Sequence, residues 1–393
     1  MVIIKQMGSS VKNNADALIF HTALCAAGEM RIIMGKYHFI IIGAGWRALY
    51  YVRIAKAMPD IFCLDAVYCR TQEKADKIAR EYQIHTTTSK EECAAYKPDF
   101  AVIAVNKAEI CNVAVEWMDR GITVLSETPA ALSVEQLKKL YEYYNAGKKQ
   151  VVAEQYRNYP SNKAAIRLIK SGILGDVSCM NISLAHEYHG FSLIRAYLGI
   201  TAGDNYNVSA KIYEFPTTQT LTRYDKYMDG RVTDKKRCIA TFEFDNGKVA
   251  WYDFDSEQYR SPIRKNTVKV QGVRGEMIDD TIYYLDDNNE GCTEKIKTEI
   301  RTTTTDNENP NLSTICEVEK ITCNGKVLYE PEWGMCNLTE DETAIAALME
   351  GTAMYSRGEA DSPYPIEDAL ADAYAAILLE EAAKTGKKIY SKL

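Results

Sequence analysis

One short stretch constrains the fold of this chain more than any other, because an apolar run ends there in a glycine turn. Residues 39–42 read Phe-Ile-Ile-Ile, which is typical of a strand buried on both faces of a parallel sheet. Gly43, Ala44 and Gly45 follow, and a helical pattern comes next. Glycines in this context let the backbone approach a diphosphate, while the free amides of the new helix point at its charge. The pattern Gly43-x-Gly45-x-x-Ala48 therefore predicts a dinucleotide site; the alternative is a tight strand-to-helix turn without a ligand.

The composition is that of a globular protein with room for two domains. The chain has 393 residues, of which 46% are hydrophobic and 26% charged. A net charge of −7 argues against nucleic-acid or anionic-membrane partners, which need clustered positive charge. Its 11 cysteines form no CxxC pair, which favours reduced thiols in a cytoplasmic protein. No apolar stretch reaches the ~18–20 residues that would span a bilayer.

The first 35 residues do not fit a domain of their own. Residues 15–30 are mildly apolar and faintly resemble a signal peptide, but polar residues such as Asp16 and Glu29 interrupt them. We expect residues 1–35 to be a poorly ordered extension, or Met34 to be the natural start.

Strands and helices alternate over residues 36–157, which predicts a doubly wound parallel (Rossmann) sheet in an α/β fold. Strands are expected at residues 65–70, from 84, and at 100–105, 123–126 and 150–155. In such a sheet the ligand lies beyond the carboxyl ends of the strands. The residues expected to contact a cofactor at that edge are Gly43, Ala44, Gly45, Trp46, Arg47, Cys69, Arg70, Thr71, Val105, Asn106, Glu127 and Gln155.

The end of the second predicted strand bears on the choice of cofactor. A carboxylate there would accept hydrogen bonds from the adenosine ribose, whereas an arginine accommodates a 2′-phosphate. This chain has Cys69, Arg70 and Thr71 at that point. We therefore predict NADP in preference to NAD, with NAD still possible; the alternative is that Arg70 is an ordinary solvated residue.

Four motifs extend the argument beyond the glycine turn. They are the turn itself, residues 98–106 (PDFAVIAVN), residues 121–133 (GITVLSETPAALS) and residues 164–177 (AAIRLIKSGILGDV). In order and spacing they resemble the glucose-fructose oxidoreductase, inositol dehydrogenase and MocA (Gfo/Idh/MocA) family. The resemblance covers residues 36 to about 199 and implies a nicotinamide-dependent oxidoreductase with a second, substrate-binding domain.

The chain departs from the family pattern at two positions. The family usually carries Glu-Lys-Pro where this chain has Glu127, Thr128 and Pro129. That lysine lies beside the nicotinamide and can donate to the reacting oxygen, whereas Thr128 has only a neutral hydroxyl. In the family's Asp-x-x-x-His pair, Ala185 takes the place of the aspartate and His189 matches the histidine.

His189 is the expected general acid or base, because a histidine titrates near neutral pH. It could instead be a histidine satisfied by backbone at a strand-to-helix junction. His186 and Glu187 nearby admit a metal site, but no third ligand at a known spacing supports one, so no metal is predicted. The expected catalytic residues are His189, Tyr156 and Thr128, and the expected substrate residues are Tyr156, Arg157, His186, Tyr188 and His189.

Residues 158–393 are predicted to form an α+β domain for substrate binding and oligomerisation, with a large, mostly antiparallel sheet. Strands are expected at residues 206–213, 237–244, 248–254 and 276–285, with a hairpin turn around residues 245–247 (DNG). An exposed loop is expected at 302–310, and two helices at 339–356 and 366–385 are expected to pack back at the interdomain side. The uncovered sheet face predicts a homo-dimer or tetramer. Further candidates for lining the cleft are Tyr159, Tyr259, Arg260 and Trp333.

Two functions of different classes remain open from the sequence. The first is an NADP-preferring oxidoreductase that moves hydride to or from a carbonyl, hydroxyl or imine carbon of a small polar, sugar-like substrate. The second is a nucleotide-binding or regulatory protein of the same fold that has lost catalysis, as Thr128 and Ala185 would allow.

Overall fold

The computed structural model describes residues 35–306 and 312–392, so the predicted extension and the Met34 alternative lie outside the described residues, apart from Gly35. The α-helices are α1 (Ala48–Ala57), α2 (Gln72–Tyr82), α3 (Lys90–Ala95), α4 (Ile110–Asp119), α5 (Val134–Asn145), α6 (Pro160–Lys170), α7 (Glu187–Leu198), α8 (Glu340–Arg357) and α9 (Ile366–Thr385). None of the helices described is long and apolar enough to cross a bilayer.

The strands of the described residues form three sheets. The N-terminal strands are β1 (Tyr37–Ile42), β2 (Phe62–Tyr68), β3 (Thr86–Thr87), β4 (Phe100–Ile103), β5 (Thr123–Ser126) and β6 (Gln150–Val152). The others are β7 (Val177–Ser183), β8 (Tyr206–Thr218), β9 (Val232–Phe244), β10 (Val249–Asp255), β11 (Thr267–Gly272), β12 (Gly275–Ile278), β13 (Thr281–Leu285), β14 (Gly291–Lys295), β15 (Lys297–Thr304), β16 (Thr314–Cys323), β17 (Lys326–Tyr329) and β18 (Ile389–Tyr390).

The first sheet has the order β3-β2-β1-β4-β5-β6, with every pair parallel. The strands after β1 are added on one side of it up to β3, and from β4 onward on its other side. The gap between β1 and β4 is therefore the switch point at which such sheets bind ligands. β1 is buried at all positions but His38, as its apolar run requires. The predicted doubly wound Rossmann sheet is confirmed.

The second sheet has nine strands in the order β14-β13-β12-β11-β7-β10-β9-β8-β18. Only β7 and β10 pair in parallel, so the sheet is mostly antiparallel as predicted. The expected hairpin turn joins β9 to β10, with Gly247 at φ 84°. A third, three-stranded sheet, β15-β16-β17, completes the α+β part of the chain.

Several predicted element bounds are wrong. β2 begins three residues earlier than predicted and ends before Cys69, and β6 ends at Val152, because polar Glu154 and Gln155 turn away from the ladder. The single strand predicted over 276–285 is two strands, since Asp279 takes a left-handed φ of 53° and reverses the chain. The predicted loop at 302–310 begins as the end of β15, and residues 307–311 lie outside the described chain.

β8 and β9 are much longer than predicted, with 13 residues each paired along their full length. Their charged residues and Pro216 conceal the pattern, because the ends of both strands face solvent. The hairpin then continues into an ordered tip, residues 219–231. Gln219 N–H donates to the Arg231 carbonyl at 3.0 Å, and Leu221 pairs with Lys226 across the tip.

The two C-terminal helices return to the N-terminal sheet. α8 places Ile345, Leu348 and Met349 in the same buried core as β1 and β4. α9 contributes to both cores, with Leu370 in the first and Leu378 in the second. The first turn of α8 therefore lies against the glycine-turn helix α1, where it reaches the edge at which a ligand is expected.

Candidate active site

The two glycines of the turn after β1 are required for different structural reasons. Gly43 has φ 115°, and a Cβ there would lie 2.3 Å from the Ala104 carbonyl oxygen, so no other residue fits. A Cβ on Gly45 would meet open space within 4 Å. A ligand can therefore approach the backbone of Gly45 closely, because no neighbouring side chain occupies the space where a Cβ would lie. These features fit the diphosphate of a dinucleotide.

Five other predicted cofactor residues lie on the segments that follow β2 and β4. Cys69 is buried and its amide donates to the Thr87 carbonyl, whereas Arg70 is exposed. The Thr71 hydroxyl caps α2 by accepting from the Lys74 amide. After β4, Val105 lies against Gly43, and the Asn106 side chain accepts from the Ala108 amide at 3.0 Å.

An ionic network lies under the turn and includes three predicted cofactor residues. Arg47 donates through Nε to Glu127 at 2.8 Å and through Nη1 to Asp341 of α8 at 2.7 Å. Tyr51 also donates to Glu127, and Gln155 donates to Asp341 at 3.1 Å. The side chains of Arg47, Glu127 and Gln155 are thus engaged with protein groups, and they connect α1, the loop after β5 and α8.

Burial alone would remove charge from this network, but the partners preserve it. Burial works against the charge on Arg47, yet the Asp341 and Glu127 carboxylates hold its pKa well above the usual value. Burial likewise raises the pKa of Asp341, but Arg47, with further hydrogen bonds from Tyr159 and Gln155, brings it below the usual value. We take the Arg47–Asp341 pair to be ionised at neutral pH.

His189 lies in the first turn of α7 and is held by Glu154, the residue two beyond the end of β6. Its Nδ1 is 2.5 Å from Glu154 Oε2, and both side chains are almost fully buried. Burial raises the pKa of Glu154 to about 8 and, together with the charge of Arg47, lowers that of His189 to about 3. At neutral pH the carboxyl therefore keeps its proton and donates a hydrogen bond to Nδ1, which leaves the single proton of the neutral imidazole on Nε2.

Aromatic side chains surround this pair. The Tyr156 ring lies 4.4 Å from the His189 ring and the Tyr188 ring 4.5 Å from it, centroid to centroid. His186 contacts the Tyr188 hydroxyl through Nε2 at 2.9 Å and the Tyr259 hydroxyl through Nδ1. Tyr156 donates in turn to Tyr259, and burial lowers the pKa of His186 to about 3. The predicted residues Tyr156, His186, Tyr188 and His189 are thus brought into one cluster.

Thr128 joins the cluster at its N-terminal side. Its hydroxyl donates to Tyr188, and a cavity of about 10 Å³ lies between Thr128, Glu154 and Tyr188. This volume is about that of one water molecule, so the lysine usual in the family would not fit without rearrangement. The positive charge that acts on His186 and Glu187 instead belongs to Lys107, an exposed residue after β4.

Three other predicted residues have protein partners. Arg157 pairs with Asp368 of α9 at 3.2 Å and stacks over Tyr364, so its side chain joins α9 to the loop after β6. The Tyr159 hydroxyl donates to Asp341 at 2.9 Å. Trp333 packs against the N-terminal core and donates to Glu350, away from the cluster.

Sequence reasoning missed Glu154, Asp341 and Lys107. Glu154 directly precedes a predicted cofactor residue at the end of a strand, which is a usable signal. Asp341 is 294 positions from Arg47, and no local pattern could join them. Lys107 follows the matched motif at residues 98–106, where its neighbour Asn106 was already a candidate.

One group of side chains could hold a metal ion, although no metal site was predicted. Atoms of His38, Cys63 and Asp65 lie within 4.8 Å of one another at the start of β1 and β2. The His38 ring is 2.9 Å from Asp65, and half of the His38 side chain is exposed. This group lies at the opposite edge of the sheet from the cluster.

The fold and site define a two-domain protein of the dinucleotide-binding class, with a buried histidine–carboxyl pair between the domains. Residues 37–155 match the model of the oxidoreductase family with an NAD-binding Rossmann fold, the Gfo/Idh/MocA family. This match confirms the resemblance in sequence for the N-terminal part of the chain. A search of curated proteins finds no match.

Solved structures share the fold over nearly the whole chain. An oxidoreductase from Agrobacterium radiobacter, in complex with NAD+, L-tartaric acid and magnesium, is 13% identical with a TM-score of 0.63, over 90% of this chain and 98% of that one. A levoglucosan dehydrogenase, in complex with NADH and levoglucosan, is 16% identical with a TM-score of 0.63, over 91% and 100%. The scyllo-inositol dehydrogenase of Lactobacillus casei is 14% identical with a TM-score of 0.60, over 91% and 98%.

Proposed function

We propose that this protein is an NAD(P)-dependent oxidoreductase that reduces or forms a carbonyl or imine group on a small polar, sugar-like substrate. The observation that carries the proposal is the His189–Glu154 pair, held 2.5 Å apart at the ligand edge of a dinucleotide-binding sheet. The similarity in fold to a levoglucosan dehydrogenase and a scyllo-inositol dehydrogenase supports a polyhydroxylated substrate.

The residues of the turn suit the cofactor. Gly43 and Gly45 leave room for a diphosphate, and the loop after β2 would face the adenosine ribose. Arg70 is the only basic residue among the three predicted there, and its exposure leaves it able to contact a 2′-phosphate. We therefore propose NADP as the preferred cofactor. When bound, the nicotinamide supplies or accepts the hydride.

His189 moves the proton that accompanies the hydride. In the reducing direction the carbonyl carbon gains a hydride, and the oxygen takes the proton of Nε2, so that C=O becomes CH–OH. The Glu154 carboxyl then returns a proton to the imidazole through Nδ1, and the reverse sequence serves oxidation. An imine is reduced in the same way, with the proton going to nitrogen. Tyr156 and Tyr188 fix the ring by packing on it.

The test is turnover of NADPH and NADH with ketoses, inososes and cyclic imines, and of the oxidised cofactors with inositols and anhydrosugars. The variant His189→Ala should lower kcat by about 10²–10⁴ while cofactor affinity stays unchanged. His85→Ala is the matched control, because His85 is an exposed histidine paired with Glu92 on the N-terminal domain. Undiminished turnover by His189→Ala would remove His189 from the mechanism.

The same assay decides the second candidate function, a binding or regulatory protein without catalysis. Thr128 favours it, since the cluster has no lysine at this position. That function predicts cofactor binding in calorimetry with no hydride transfer across the panel.

We also propose that a second copy of the chain covers the outer face of the nine-stranded sheet. Trp251, Ile239 and Tyr213 are 46%, 44% and 37% exposed on β10, β9 and β8. Apolar side chains grouped in this way mark an interface in soluble proteins. Light scattering should find a dimer or tetramer, and Trp251→Glu should shift it to monomer; a wild-type monomer at micromolar concentration would contradict the proposal.

A further inference from the structure

The tip of the long β8–β9 hairpin, residues 219–231, reaches from the second domain to the glycine turn. At its end the Arg223 guanidinium carbon lies 3.4 Å from the centre of the Trp46 ring. Trp46 directly follows Gly45, so Arg223 lies over the turn on which a diphosphate is expected.

The tip is held in this position by its own hydrogen bonds. Thr222 N–H donates to the Asp225 carbonyl at 2.8 Å, and Tyr227 N–H donates to the Thr220 carbonyl at 2.7 Å. The Thr220 hydroxyl also donates to Ser261 at 3.4 Å, which fixes the tip to the segment after β10. An arginine on such a structured tip loses little entropy when it binds a ligand.

A second arginine lies next to Arg223. Arg260 precedes Ser261, and it is the charged group with the largest effect on Arg223, whose pKa burial and this like charge together lower. Two adjacent guanidinium groups are a binding site for an anion with several oxygens.

We propose that Arg223, with Arg260 beside it, binds the diphosphate of the dinucleotide, opposite the amides of the turn. The ligand class is a nucleoside diphosphate, and the inference rests on the proposed function because it assigns a second wall to the same cofactor site. The diphosphate would lie between the two domains, so that cofactor binding holds the hairpin against the Rossmann sheet.

Calorimetry on the full chain with ADP, NADP and adenosine tests this. Arg223→Ala should weaken ADP and NADP binding about tenfold or more, since charge-assisted bonds to phosphate are lost, and Arg260→Ala should weaken it less. Adenosine carries no phosphate, and its affinity should not change. Arg231→Ala is the matched control, because it removes an arginine of the same tip that is engaged with Asp229. The salt dependence of ADP binding should also become shallower in Arg223→Ala.

The outcomes separate this inference from the function on which it rests. Equal ADP affinity in wild type and Arg223→Ala would overturn the inference and leave the nucleotide site intact. A raised KM for substrate with unchanged ADP affinity would also overturn it, because the arginine would then bind an anionic substrate. If the wild type binds neither ADP nor NADP, the proposed function itself fails. Thermal melting of each variant confirms that the fold is kept.

Discussion

Two polar networks lie under the same cleft, and burial affects them in opposite ways. The Arg47–Asp341 network keeps its charges, since oppositely charged groups lie within hydrogen-bond distance. In the Glu154–His189 pair burial outweighs the nearby opposite charges, so the pKa of the carboxyl rises to about 8 and that of the imidazole falls to about 3. Buried groups ionise only where the partners offset the cost of leaving water.

The difference indicates what each network can do. An ion pair of fixed charges holds α1, the loop after β5 and α8 in one arrangement, and it cannot exchange protons near neutral pH. A neutral carboxyl–imidazole pair can pass a proton along its hydrogen bond without creating an isolated charge. The first network therefore supports the fold of the site, and the second is suited to its chemistry.

Removing one partner of the ionic network should have the largest effect on stability. In Asp341→Ala the largely buried Arg47 loses its second carboxylate, and the free energy of unfolding should fall by about 3–5 kcal/mol. Urea unfolding followed by circular dichroism measures this. The control is Glu380→Ala, which removes an exposed pair with Lys384 on α9 and should change stability little. Similar losses in both variants would mean that the Arg47 network is not the charged support described above.

The free energy of unfolding contributed by the neutral pair should depend on pH near neutrality, unlike that of the ionic network. The unfolded chain loses the Glu154 proton near pH 4.5, whereas the folded protein keeps it to about pH 8. The stability from this proton is therefore complete below pH 4.5 and is lost as the pH rises through 8. Glu154→Gln mimics the protonated carboxyl and has no such loss.

The free energy of unfolding of Glu154→Gln, minus that of the wild type, should therefore rise by about 1–3 kcal/mol between pH 5 and pH 8. His189 titrates in both proteins, so its own effect largely cancels in the difference. Urea unfolding at four pH values across this range measures it. A difference independent of pH would show that Glu154 is already ionised in the folded protein and that the pair is ionic after all.

The sequence indicated residues of both networks, but it predicted proximity only for those around His189. His186, Tyr188 and His189 fall within one helical turn, so their proximity follows from spacing, and Tyr156 follows a strand that ends at the same edge. Glu154 is 35 residues from His189 and meets it only through packing of α7 against the end of β6. Contacts between residues so far apart in the sequence leave no periodic signal in it.

The same limit applies to the fold. Buried parallel strands such as β1 were readable, because apolar runs between helices have few other interpretations. The full length of β8 and β9 was not, since a strand with one solvated face and several charged residues resembles a loop in its composition. The tip that brings Arg223 to the turn was missed for that reason.

The smallest expected effect is the loss of stability when one hydrogen bond between neutral groups is removed beside His189. Tyr188→Phe removes the hydroxyl that His186 Nε2 contacts at 2.9 Å and leaves the ring in place beside His189. Because both groups are neutral, the free energy of unfolding should fall by only about 0.5–1.5 kcal/mol. Tyr227→Phe on the exposed hairpin tip is the control. A loss as large as that of Asp341→Ala would mean that His186 carries a charge stabilised by Tyr188, and the distinction between a neutral and an ionic network would no longer hold.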